Sequence, residues 1–306
     1  MSETRLALKV DVDTYAGTRD GVPVLMNLLA EHNAQASFYF CFGPDHTGRT
    51  LRRIFTHKGF FKKAWQSGAP SAYGIKTMLN GVLLPGPNIG KKCAAIMQQV
   101  DKAGYEVGIH AWNHVNWHDF LLKQGEGLAK SELGQAAKAF LQIFGRLTET
   151  TAAPGWTASA ISLALQDQMG LSYCSDCRGS HPFYPVVDGQ YFNTLQIPTT
   201  LPTADELLGR NSLTPANLAQ HYLQLLQPGL NVLTIHAELE GGSIKDSFRQ
   251  LLQLLQQSNI PCISLAEARQ QVDNAPCCKL EMGMVNGRAL PVAIQGEELP
   301  EKEQQE

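Results

Sequence analysis

A chain of 306 residues can bury one large core, and its 43% hydrophobic content is that of an ordinary soluble protein. No apolar run approaches the roughly 20 residues that cross a bilayer, and Met1-Ser2-Glu3-Thr4-Arg5 leads into a strand without the apolar stretch of a signal peptide. A net charge of −3 hides a cationic block at 49–92, a separation that suggests an anionic partner for one patch rather than general nucleic-acid affinity, and seven cysteines without a repeating spacing point to reduced thiols in the cytosol.

The first element, Leu6-Ala7-Leu8-Lys9-Val10-Asp11-Val12-Asp13-Thr14, starts as an apolar run and ends in two carboxylates. Strand alternation aims Asp11 and Asp13 the same way, which is costly in a buried strand unless a cation sits beside them. A metal answers that cost, with one aspartate as ligand and the other free as a base. A loop at 17–23 and a helix through Leu25, Met26, Leu28 and Leu29 follow, ending near Asn33. Ala36 to Phe42 is a second strand, stopped by Gly43-Pro44.

Residues 45–90 interrupt the strand–helix rhythm. Between Asp45 and Asp101 there is no acid, while Arg49, Arg52, Arg53, Lys58, Lys62, Lys63, Lys76, Lys91 and Lys92 are all cationic. Leu51, Ile54, Phe55, Phe61 and Trp65 fall near helical spacing, and the run Val82-Leu83-Leu84 is closed by Pro85-Gly86-Pro87. Two readings stay open for this insertion. One is a segment packed on the domain with a solvated basic face; the other is a basic, aromatic-bearing surface resting on an anionic membrane.

Alternation then resumes, with helices over 94–103, 128–144, 156–169, 216–226, 248–255 and 265–272. Strands are expected at 105–109, 150–153, 171–174, 194–197, 230–235 and 260–264. Residues 178–190 look like a long loop. From Pro276 the pattern fades, so residues 276–306 form a C-terminal extension to a 1–275 domain, with an acidic, disordered end at 297–306. Seven or eight strand–helix units predict an α/β fold, a (β/α) barrel with working residues at the C-terminal ends of its strands.

The reactive side chains fall at those ends. His110 and His114 lie four apart just past a strand; if the chain turns helical there, both face one way and can share a metal with Asp13. His236 closes the most apolar strand and is either a satisfied buried group or a proton donor. Asp176, just past another strand, is a turn residue or the carboxylate that orients and charges that histidine. Cys174 and Cys177 have redox-motif spacing but no second pair.

Together these pieces resemble the polysaccharide deacetylase (NodB-like) family, whose fold is a distorted (β/α) barrel. Val10-Asp11-Val12-Asp13 is similar to its first motif, His110 with His114 to its second, Tyr173-Cys174-Ser175-Asp176 to its fourth and Leu233-Thr234-Ile235-His236 to its fifth. The resemblance implies Asp11 as base, Asp13, His110 and His114 as ligands of one divalent ion (zinc, cobalt, nickel or manganese) and His236 as acid. At the third motif many members carry an arginine that steadies the base. Here the segment is Ala152-Ala153-Pro154-Gly155-Trp156, which leaves open what steadies Asp11.

Within the family, Asp11-Val12-Asp13-Thr14, Gly17-Thr18-Arg19, His110-Ala111-Trp112, Ser175-Asp176-Cys177-Arg178-Gly179, Gln196-Ile197-Pro198 and Thr234-Ile235-His236-Ala237-Glu238 look like the 4-deoxy-4-formamido-L-arabinose-phosphoundecaprenol deformylases. That likeness implies an undecaprenyl-phosphate-linked aminosugar as substrate and a peripheral place at the cytoplasmic face of the inner membrane. It also implies a part in lipid A modification and polymyxin resistance, with Arg19, Trp156, Arg178 and Glu238 as substrate-binding candidates. An N-deacetylase of another sugar is the nearest alternative. A D-x-D glycosyltransferase would leave His110, His114 and His236 without roles, and a non-catalytic lipid-binding barrel predicts no amide hydrolysis.

Overall fold

The structure, a computed structural model, describes residues 3–51 and 79–300. Much of the basic insertion, with Arg52, Arg53, Lys58, Lys62, Lys63, Lys76 and the apolar series from Ile54 to Met78, lies outside the described residues. So does the end of the acidic tail.

Eight parallel strands form the central sheet. They are β1 (Arg5–Val12), β2 (Ser37–Cys41), β3 (Glu106–Ala111), β4 (Thr150–Thr151), β5 (Tyr173–Cys174), β8 (Leu195–Gln196), β9 (Leu230–His236) and β10 (Cys262–Ile263). The order β9-β1-β2-β3-β4-β5-β8 runs round a barrel, with β10 paired only to the foot of β1 at Leu6 and Ala7. The segment leaving β8 turns back to β9, where Thr200 and Leu201 N–H groups both donate to the Val232 carbonyl. That contact spans the seam where no strand ladder is formed.

Helices cover the outside: α1 (Val22–Glu31), α2 (Ile89–Lys102), α3 (His114–Phe144), α4 (Ala160–Met169), α5 (Ala204–Leu207), α6 (Pro215–Leu225), α7 (Lys245–Gln257) and α8 (Leu265–Gln270). Helix α2 begins earlier than its apolar spacing implies, because the Asn88 side chain accepts the Lys91 N–H and caps it. Helix α3 also starts well before the expected 128. A non-helical glycine, Gly125 (φ 58°), kinks it and hides the first half from a periodicity reading.

Alternation along the strands divides two cores. Leu6, Leu8, Val10 and Val12 of β1 point outward with Phe38, Phe40, Val107, Ile109, Leu233 and Ile235, against the helices. Ala7, Tyr39, Tyr173, Leu195 and Val232 fill the lower barrel. The inward-facing residues above that floor are polar: Lys9 and Asp11 on β1, His110 on β3, Thr234 and His236 on β9. A core floor with a polar upper interior is what places the chemistry at one end.

Two stretches differ from the sequence expectation. Within 178–190, Tyr184–Val187 forms strand β6, which pairs with β7 (Gln190–Tyr191). The C-terminal extension is an antiparallel hairpin of β11 (Cys277–Gly283) and β12 (Val292–Leu299) whose β11 runs parallel to β6. This second sheet buries Phe183, Phe192, Cys278, Leu280 and Ala293 together. Strands β6 (YPVV) and β7 (QY) are too short to show a period, β12 (VAIQGEEL) does not alternate, and only β11 alternates, over Cys278 to Met282.

Gly108 of β3 faces the floor, where an added Cβ would come 2.6 Å from the Tyr39 ring and 2.9 Å from Thr150 Cγ2. Gly108→Ala should therefore cost about 1–3 kcal/mol by overpacking. Equilibrium denaturation tests it, and an unchanged midpoint would show that the floor has slack.

Candidate metal centre

Residue Asp11 sits beside His236 in the β1–β9 ladder and beside Tyr39 in the β1–β2 ladder. Asp13 follows one alternation step later, just past the strand end. His110 occupies a bulge: Phe40 pairs with Ile109 and Cys41 with Ala111, so His110 is the extra residue on β3. Bulges of this kind re-aim a side chain beside functional sites. His114 is the first residue of α3, after the N-cap Asn113. The four-residue spacing thus bridges a strand end and a helix start, rather than one helical face as the sequence suggested.

The three side chains nevertheless converge. His110 Nε2 lies 3.2 Å from Asp13 Oδ1, and His114 Nε2 3.5 Å from Asp13 Oδ2. One ligand atom from each of Asp13, His110 and His114 lies within 4.8 Å of the others. Asp13 Oδ1 is buried without a hydrogen-bond partner, as is Asp11 Oδ1. A carboxylate whose two oxygens each face an imidazole nitrogen fits a divalent cation, and two nitrogens with carboxylate oxygen suit zinc, cobalt, nickel or manganese. Burial raises the Asp13 carboxyl, but the positive charges of His114, His110 and His236 outweigh it and hold Asp13 below the ordinary carboxylate range.

The surrounding shell fixes these groups. Glu238 Oε1 accepts from Thr14 N (2.9 Å), Thr14 Oγ1 (2.7 Å) and Asp13 N (3.2 Å), which pins the chain leaving β1. A Cβ on Gly17 would meet that carboxylate at 2.0 Å, so glycine is required there. Burial and the nearby Asp13 push Glu238 up to about 8. Glu132 accepts the Asn113 N–H at 2.7 Å and so sets the turn between the two histidines. Glu240 accepts the His236 N–H at 2.8 Å.

His236 and Asp176 are not partnered as the sequence reading had them. The Asp176 carboxylate accepts from Ala153 N (2.7 Å), Gln166 Nε2 (2.7 Å) and Gln196 Nε2 (3.2 Å), tying together the ends of β4, β5 and β8. Desolvation lowers the affinity of half-buried His236 for a proton, but Asp13, Asp205, Asp11 and Glu240 together raise it above the ordinary histidine value. Asp205, from α5, was not anticipated because it is far away in sequence and carries no motif.

The substrate-binding candidates divide similarly. Arg178 is spent inside the protein, on Glu206 (2.7 and 3.0 Å) and on the carbonyls of Thr199 and Leu201. Glu238 holds the Asp13 turn as described. Trp156 is buried in a left-handed conformation (φ 49°), its Nε1 donating to Thr199 Oγ1 at 3.1 Å. Its ring is flanked by Arg178, Lys9 and Arg288, at 5.0, 5.4 and 4.4 Å from the centroid. Arg288 comes from the C-terminal hairpin loop and also donates to Glu206 Oε1 at 2.6 Å. Arg19 alone of the four is exposed, on the turn at 17–21, where it pairs with Asp20 over the Tyr15 ring.

Lys9 escaped the sequence reading. It is fully buried, its Nζ donating to the Ser175 carbonyl at 3.0 Å and lying 3.4 Å from Asp11 Oδ2. The available signal was a lysine inside an apolar strand, one alternation step before Asp11.

The Glu132 carboxyl is pushed up to about 7 by burial, against the hydrogen bonds from Asn113 and Asn116. Between the ordinary carboxyl value of 4.5 and about 7 the folded chain keeps a proton that the unfolded chain has lost. Its contribution to stability must then decline as pH rises through that window. Relative to the wild type, Glu132→Gln should melt at a comparatively higher temperature at pH 7.5 than at pH 5. A difference independent of pH would contradict this.

Residues 2–174 match the sequence pattern of the family described as "Polysaccharide deacetylase". The chain is 38% identical over 271 residues to a Shewanella sediminis protein named "Probable 4-deoxy-4-formamido-L-arabinose-phosphoundecaprenol deformylase ArnD", covering 88% of this chain and 87% of that one. A Wigglesworthia glossinidia brevipalpis protein of the same name is 31% identical, with 91% and 98% coverage. Among solved structures, "Crystal structure of putative polysaccharide deacetylase from Mycobacterium smegmatis" aligns with a TM-score of 0.59 at 16% identity, over 88% of this chain and 90% of that one, which speaks to the barrel fold. With the matched pattern covering more than half the chain and curated relatives along most of its length, the protein belongs to the polysaccharide deacetylase family and is an amidohydrolase.

Proposed function

We propose that this chain hydrolyses the formamide of 4-deoxy-4-formamido-L-arabinose-phosphoundecaprenol. The products are formate and the free 4-amino sugar on its lipid, the form used to modify lipid A and so to resist polymyxin. The observation that carries the formyl and lipid parts of this reading is the 38% identity to the Shewanella deformylase along 88% of the chain. The site geometry supports the amide chemistry.

Asp13, His110 and His114 would hold a divalent ion, which would supply Lewis acidity and make a nearby water more acidic. Asp11, whose Oδ1 is buried and unbonded, takes the water proton as the oxygen adds to the formyl carbon. His236, across the β1–β9 ladder from Asp11, gives a proton to the sugar nitrogen as the C–N bond breaks. The carboxylates of Asp13, Asp205, Asp11 and Glu240 favour its protonated state. Arg19, exposed near the rim, is the candidate for contact with the substrate's charged portion.

A peripheral place at the inner face of the inner membrane goes with this substrate. Among the described residues no helix is long and apolar enough to cross a membrane. Val82, Leu83 and Leu84 stand 53%, 76% and 40% exposed in one turn, next in sequence to the cationic stretch. Apolar tips in the same sequence segment as many lysines and arginines suit an anionic lipid surface, each cation contributing roughly 1 kcal/mol.

Two outcomes are expected. Metal-loaded enzyme should release formate from the formamido lipid much faster than acetate from its acetamido counterpart, and Asp11→Asn should keep its metal while kcat falls about 10²–10⁴-fold. Preferential acetate release would make the protein an N-deacetylase, and near-normal turnover would remove Asp11 from the chemistry. Replacing Arg52, Arg53, Lys62 and Lys63 by glutamine should reduce cosedimentation with phosphatidylglycerol vesicles; unchanged binding would return the insertion to an ordinary packed segment.

A further inference from the structure

A buried ammonium group is expensive: even after relaxation the effective penalty is several kcal/mol per ion. Lys9 is nonetheless 0% exposed, in the middle of a strand whose outward neighbours are leucine and valine. Its three protons have few acceptors. One goes to the Ser175 carbonyl at 3.0 Å, Asp11 Oδ2 stands at 3.4 Å, and the rings of Trp156 and Tyr39 flank the group at 5.4 and 5.9 Å.

The other carboxylate nearby, Asp176, already accepts from Ala153 N and the amides of Gln166 and Gln196. The ion partner of Lys9 is therefore Asp11. The segment 152–156, which faces Lys9 through the Trp156 ring, contains no cation of its own. Asp11 Oδ2 is thus held by the lysine, while Oδ1 is buried, unbonded, and 3.8 Å from His110 Nδ1. One oxygen is anchored and the other left available on the side of the ligand histidines.

We propose that Lys9 is the positioning residue for Asp11: it grips Oδ2 from two residues upstream on the same strand and so presents Oδ1 to the reacting water. The inference rests on the reading of Asp11 as base. It explains why a cation is kept at a place where a methionine would pack with less penalty. It also assigns the role to β1 itself, so that base and anchor share one rigid element.

Lys9→Met keeps the stem and removes the charge. It is expected to fold, to bind zinc at the wild-type ratio and to leave KM unchanged, while kcat falls about 100-fold; Lys9→Arg should recover to within about tenfold of wild type. Removing Lys9 in an Asp11→Asn background should cause no further fall in kcat, because the lysine acts through Asp11. Loss of zinc, a kcat within about threefold of wild type, or an additional fall in the double variant would each overturn the assignment. Turnover is followed on both formyl and acetyl substrates, so an enzyme that prefers acetate contradicts the deformylase reading while leaving this comparison intact. A crystal structure of Lys9→Met gives a readout without turnover: Asp11 should leave its position, and an unmoved carboxylate would overturn the proposal.

Discussion

Two carboxylates on the inward face of one buried strand end are the constraint that the upper barrel answers. Asp11 and Asp13 repel each other and lose water, and neither is tolerable without nearby positive charge. The molecule meets Asp11 with Lys9 from below and Asp13 with His110 and His114 from the side. His236 joins from the neighbouring strand, paired in register with Asp11. Lys9, His110 and His236 lie on strands of the parallel sheet, while His114 opens the helix that follows β3, so the sheet sets most of the spacing of the chemistry.

A second layer of acids holds that arrangement in place by binding backbone rather than metal. Glu238 ties down the turn carrying Asp13, Glu132 the turn between the histidines, Glu240 the amide of His236, and Asp176 the ends of three strands. Burial raises all four carboxyls. The C-terminal hairpin extends the same scheme to the far wall, where Arg288 and Arg178 share Glu206 and enclose Trp156 between them. The extension therefore packs onto the barrel through Trp156 and Glu206, although the matched family pattern ends at residue 174.

Much of this was visible in the residue order. Parallel strands buried on both faces read as continuous apolar runs, so β1, β2, β3 and β9 stood out, and their last residues carried the metal-ligand types. What stayed hidden has physical causes. Strands β6 and β12 are half-exposed and short of clear alternation, and β11 alternates only from Cys278 to Met282. The bulge at His110 cannot be read from spacing, so a four-residue interval is compatible with one helical face even though it spans a strand end and a helix start. Arg178 and Glu238 lie at motif positions near the site, but a sequence does not say which partner consumes a side chain's hydrogen bonds. Asp205 acts on His236 through its charge from a distant segment, and residue order alone does not pair Lys9 with Asp11.

The central claim is that Asp13, His110 and His114 hold one divalent ion beside Asp11 and His236. Anomalous diffraction from crystals of the zinc-loaded protein, collected on both sides of the zinc edge, tests it most directly. A single strong peak bounded by those three side chains is predicted, with Asp11 alongside but not bound. A peak elsewhere, or density in which Asp11 itself is a ligand, would contradict the account.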